Sequence, residues 1–113
     1  VSPTLLWSYI GTKNGLADWF ADDVQNEEKL FTFFWNKSSQ QAHQIAVRSG
    51  SYIRFHWLDD EDEKSFFELR ISSSELTGAT MLVITDFAYP DEMADSRGLW
   101  DHQIETLRRK LGV

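Results

Sequence analysis

No cysteine occurs among the 113 residues. Disulfide staples and thiolate metal ligands are therefore excluded. Proline is limited to two positions, and no Pro/Gly-rich linker, internal repeat or low-complexity tract divides the chain. No apolar run approaches the ~18 residues a membrane-spanning helix needs. Basic residues are scarce: 11 Lys and Arg stand against 18 Asp and Glu, a net charge of −7. Such a chain is repelled by nucleic-acid phosphates and anionic lipid surfaces, so neither nucleic-acid binding nor membrane insertion is expected. The first residues show no basic segment followed by an apolar stretch. With cysteine absent, the expected compartment is the cytoplasm.

Residues with obvious chemistry are equally thin. The histidines are His43, His56 and His102, and no two have the i, i+4 spacing of a metal pair. There is no nucleophile elbow, phosphate loop or dinucleotide motif. The acidic run Asp59–Glu63 lacks the spaced glycine and glutamate of a calcium loop and reads as a solvated turn. Asp22, Asp23 and Asp86 fall near strand ends without an identifiable partner. No catalytic residue, metal or cofactor is expected.

What the chain does have is aromatic bulk. Hydrophobic residues make up 42% and aromatics 14%, a globular composition. One domain of this length buries roughly two-thirds of its unfolded surface. Ser2-Pro3 opens a helix that carries Leu5, Leu6, Tyr9 and Ile10 and ends at Gly11. Thr12 caps a second short helical turn bearing Leu16, Trp19 and Phe20, and Ala21–Val24 is read as extended. After a polar turn at Asn26–Lys29, strands are expected at Leu30–Trp35 and, more weakly, Gln41–Arg48. Tyr52–Trp57 alternates, with Ile53, Phe55 and Trp57 against Arg54 and His56. Ser65–Ser72 sets Phe67, Leu69 and Ile71 against Glu68 and Arg70, and Ala79–Phe87 closes the series. Short connections imply an antiparallel meander.

A last helix is expected over Glu92–Leu111. Trp100, Ile104, Leu107 and Leu111 form one stripe. Arg108, Arg109 and Lys110 occupy its final turn, where cations favour the helix dipole. A long amphipathic helix over one face of a curved antiparallel sheet, with two short helices near the start, is an α+β layer pair.

The ordered segments "SPTLLWSYIGTKNGLADWFADDV", "YIRFHW", "ELTGATMLVITDF" and "LWDHQIETLRRKL" resemble the START-like helix-grip superfamily, also called SRPBCC. More narrowly they resemble bacterial relatives of the activators of the heat-shock-protein-ninety ATPase. Pro3, Trp7, Gly15, Leu16, Trp19, Phe20, Gly78, Thr80, Leu82 and Trp100 hold the places of that family's motifs. The resemblance implies a single START-like domain over residues 1–113 with a curved sheet of about six strands gripping the C-terminal helix. It also implies a further strand upstream of Val1, ~10–15 residues with its turn, beside Ala79–Phe87.

Helix-grip relatives hold hydrophobic molecules between the long helix and the sheet. By that resemblance the candidate ligand-binding residues are Phe20, Phe33, Trp35, Phe55, Trp57, Phe67, Trp100 and Ile104. The same rings can equally fill a small core and leave no cavity. Trp19 and Phe20 diverge by about 100° on a helical turn, so Trp19 is expected in the core and Phe20 at a pocket mouth. Three functions follow: a module binding a small hydrophobic ligand or lipid, a protein-interaction module like the chaperone activators, or an enzyme similar to polyketide cyclases. The first is favoured, with no enzymatic activity expected. The oligomeric state is open, a dimer included.

Overall fold

The structure, a computed structural model, describes residues 1–113. The Ser2 hydroxyl caps α1 (Pro3–Ile10) by accepting the Leu5 N–H at 3.1 Å, and Pro3 sits in the first turn, where a missing N–H costs no bond. Thr12 repeats the device for α2 (Lys13–Trp19), accepting the Gly15 N–H at 3.0 Å. The two helices cross almost backbone to backbone. A methyl group added at Gly15 would lie 2.0 Å from the Ser8 carbonyl oxygen and 2.6 Å from Tyr9 Cα.

Six strands follow: β1 (Asp23–Glu27), β2 (Leu30–Trp35), β3 (Ser38–Arg48), β4 (Tyr52–Trp57), β5 (Phe67–Ser73) and β6 (Thr80–Thr85). They form one antiparallel meander in chain order, with β1 and β6 at its edges. β3 carries an irregularity between Gln44 and Ala46. A 3-10 turn at Pro90–Glu92 leads into α3 (Met93–Leu111). Gly112, left-handed at φ 77°, ends α3 and donates its N–H to the Arg108 and Arg109 carbonyls.

β5 and β6 shift by one or two residues from the expected bounds, and two elements differ by more. β1 is a full strand, closed by a two-residue turn in which Glu28 has φ 55°. Its sequence hides this because Val24 is the one residue it buries, so no alternation shows. β3 starts at Ser38 rather than Gln41, since Trp35 pairs directly with Ser38.

Alternation splits the sheet cleanly. Phe31, Phe33, Ala42, Ile53, Phe55, Phe67 and Leu69 face the helices, and all are buried. Leu6 and Ile10 of α1, Leu16 and Trp19 of α2, and Leu107 of α3 complete one core. The opposite, outer face is open except at one point. Glu68 points outward as expected, yet only 6% of it is exposed. Arg54 and Arg70 reach its Oε1 at 3.2 and 2.9 Å.

Burial alone would push the Glu68 carboxyl pKa up. The hydrogen bonds and charges of Arg70 and Arg54 outweigh that and hold it below the usual value of 4.5. A carboxyl lowered in this way stabilises the fold above its unfolded pKa, and loses that effect as pH falls through its folded one. Glu68→Gln should therefore cost about 1–3 kcal/mol at neutral pH. The deficit should shrink as pH falls below about 4. Urea unfolding of both proteins across a pH series checks this; a gap independent of pH would contradict it.

Candidate functional site

The eight predicted site residues fall into two groups. Phe20, Phe33, Phe55 and Phe67 are buried, the last three almost completely. Their rings touch: Phe20 lies 5.1 Å from Phe33 and 5.6 Å from Phe67, while Phe55 lies 5.6 Å from Phe33 and 5.1 Å from Phe67. Trp57 stacks at 5.0 Å on Phe67, and Trp100 at 5.6 Å on Phe20. Centroid separations of this size are ring-to-ring contact, so the space among them is filled. Trp35, Trp57, Trp100 and Ile104 are only half-buried and form the edge of the cluster.

Phe20 is thus not at a mouth. The 100° divergence from Trp19 holds, but α2 has a neighbour on both sides. The Trp19 indole turns toward α1 and donates to the Tyr9 carbonyl at 2.8 Å. Phe20 turns toward the sheet and α3. Its carbonyl also receives the Trp35 indole N–H at 3.0 Å and the Gln103 amide at 2.9 Å. Phe20 is therefore the point where α2, β2 and α3 are tied together.

Open space begins where the cluster ends. A cleft of about 500 Å³ runs between the end of β6 and the first half of α3. Ile84, Met93, Trp100 and Ile104 supply its apolar wall; Asp86, Ser96, Arg97 and Asp101 supply polar groups. Asp86 is fixed by the Trp100 indole, which donates to its Oδ2 at 2.9 Å. Two of the eight predicted residues, Trp100 and Ile104, line this cleft. A wider groove of about 1050 Å³ beyond it is bordered by Trp57, Phe87, Tyr89 and Leu99 and by acids of the Asp59–Asp62 loop. In that loop Asp60 accepts from the Asp62 N–H and the Ser65 hydroxyl, so its oxygens serve the turn itself.

Sequence reasoning missed Met93 and Arg97. Both extend the α3 stripe toward its N-terminus: Met93, Arg97, Trp100 and Ile104 follow i, i+4, i+7 and i+11. Arg97 interrupts the apolar character of that extension, so hydrophobicity alone does not show it. Ile84 alternates with the outward Val83 and could have been found by the period of β6.

The model of the START-like superfamily domain matches residues 1–113. No protein of curated function matches the chain. The solution NMR structure of BfR322 from Bacteroides fragilis is similar at 50% identity, with 97% of this chain and 82% of that one covered and a TM-score of 0.63. The solution structure of the Aha1 dimer from Colwellia psychrerythraea has the same fold at 15% identity, with 94% and 84% covered and a TM-score of 0.74. No helix is long and apolar enough to cross a membrane. A match over every residue, on a six-stranded antiparallel sheet packed against a long C-terminal helix, places this chain in the START-like superfamily.

Proposed function

We propose that this domain is a cytoplasmic binding module that holds a small hydrophobic ligand in the cleft between α3 and β6. The observation that carries the reading is the cleft itself. Its volume of about 500 Å³ lies within the ~300–1,000 Å³ of small-molecule sites. Its floor is the exposed edge of the aromatic core, at Trp100 and Ile104. A ligand there extends the core surface and gains about 25 cal/mol for each Å² of apolar area it covers. Arg97, which has no ion-pair partner within the chain, and Ser96 can orient a polar end. Binding is preferred over catalysis because Glu68, the one buried ionisable side chain, sits on the other face of the sheet between two guanidiniums.

Native mass spectrometry and thermal shifts with a panel of lipids and polyketides test the proposal. At a hundredfold excess over Kd a ligand should add about 2.7 kcal/mol of stability, seen as a rise in Tm of several degrees. Ser96→Trp, which fills the cleft over Trp100 and Ile104 and leaves the buried rings beneath them unchanged, should abolish that rise. A panel without a single shift or co-purified ligand would reject the reading.

The fold shared with the Aha1 dimer, together with the resemblance to chaperone activators, favours a protein-interaction module as the second reading. ATPase rates of a bacterial chaperone with and without the domain decide it. A rate unchanged at excess domain removes it.

A further inference from the structure

We propose that the outer face of β3–β5 docks an acidic peptide segment of a partner protein. The face differs in charge from the rest of the molecule. On a chain of net charge −7, β3 and β4 contain no acid at all, and neither does β6. The one acid on these strands, Glu68, is buried and neutralised by Arg54 and Arg70. Arg48, Tyr52 and Arg70 stand opposite one another in one row across the sheet, and Arg54 stands opposite Glu68 in the next. All three arginines share the outer face.

Two of these cations are held in place. The Arg70 guanidinium lies 4.3 Å from the Tyr52 ring centre and that of Arg54 4.2 Å from Phe66. Phe66 in turn meets Phe87 edge-on at 5.0 Å. Most of their donors remain free. A guanidinium has five N–H groups; Arg54 commits one bond to Glu68 and Arg70 two. Arg54 Nε is shielded from solvent, so the available donors are the terminal N–H groups, and Arg48 is exposed with no ion pair. Guanidiniums preset in this way bind carboxylates in forked pairs. The helices pack on the opposite face, and beside the arginines Met81 and Val83 leave apolar surface exposed.

The size of the patch selects the partner. Arg48 and Arg70 are two strands apart, roughly 9–10 Å. Asp23 and Glu27 on β1 and the Asp59–Glu63 loop lie beyond the patch. A few carboxylates with an apolar neighbour fit inside that frame. A nucleic acid, with a charge every ~1.7 Å of duplex, runs past it into like charge.

The probe is a short labelled oligo-glutamate peptide, titrated into the full chain with amide shifts followed by NMR. Shifts should map to the outer face of β3–β5, and affinity should fall about tenfold from low to high salt. Arg48→Glu and Met81→Glu alter positions opposite Tyr52 and Ser72 rather than Arg54, Arg70 or Glu68, and each should weaken binding about fivefold or more with Tm unchanged. The cleft variant Ser96→Trp should bind the peptide like wild type, which keeps this result separate from the ligand proposal. Absent shifts, shifts centred on Arg108–Lys110, or variants that bind as wild type does overturn the proposal. Tighter binding of a single-stranded DNA to the same face overturns the choice of partner.

Discussion

Phe20→Ala should lower the unfolding free energy by about 3–5 kcal/mol, a large share of the ~5–15 kcal/mol available to a domain of this size. The ring is 4% exposed and meets five other aromatic rings, from Phe33 at 5.1 Å to Trp35 at 5.8 Å. Truncation removes those contacts and leaves a cavity that α2, β2 and α3 cannot all close. Equilibrium urea unfolding gives the number. Trp100→Ala is the comparison: its ring is half-buried at the edge of the cluster, so it should cost less. If Phe20→Ala proved nearly neutral in stability and harmful to ligand uptake, the placement of Phe20 in the closed core would be wrong.

Gly15→Ala should be the most damaging single-methyl change in the chain, at or beyond the upper end of the ~1–3 kcal/mol that overpacking costs. Its new methyl would lie 2.0 Å from a main-chain oxygen of α1. Neither atom belongs to a flexible side chain, so α1 and α2 must move apart. That displaces Leu6, Ile10, Leu16 and Trp19 together. Gly98→Ala provides the contrast. It is also helical, but nothing lies within 4 Å of its added methyl, so it should stabilise by up to about 1 kcal/mol through helix propensity. Thermal unfolding of the pair checks both signs; equal effects would contradict the close crossing of α1 and α2.

The architecture was readable where burial has a period. β4 and β5 alternate because one face packs on helices, and α3 shows its stripe because Leu107 and its neighbours face the sheet. β1 was not readable, since an edge strand that buries only Val24 has no pattern to display. The candidate site was harder. Composition marks aromatic residues as important but cannot say which are plugs and which are walls. That depends on what lies on the far side of each ring. The 100° divergence of Trp19 and Phe20 puts Phe20 at a mouth only if α2 has a single buried side, whereas α1 and the sheet enclose it from two. The burial of Glu68 could not be foreseen from alternation, because its cover comes from the long side chains of Arg54 and Arg70 rather than from another layer.

The separation between a closed aromatic core and an open cleft can be read from tryptophan indole N–H signals in a single NMR titration. The chain has five tryptophans. The Trp19 indole bonds to the Tyr9 carbonyl in the core and the Trp35 indole to the Phe20 carbonyl at the core's edge away from the cleft lining, whereas that of Trp100 bonds to Asp86 in the cleft. Titration with the tightest binder of the lipid and polyketide panel should shift the Trp100 signal and leave those of Trp19 and Trp35 in place. Movement of the Trp19 and Trp35 signals with Trp100 unmoved would show that ligand enters the core, and would contradict the cleft as the site.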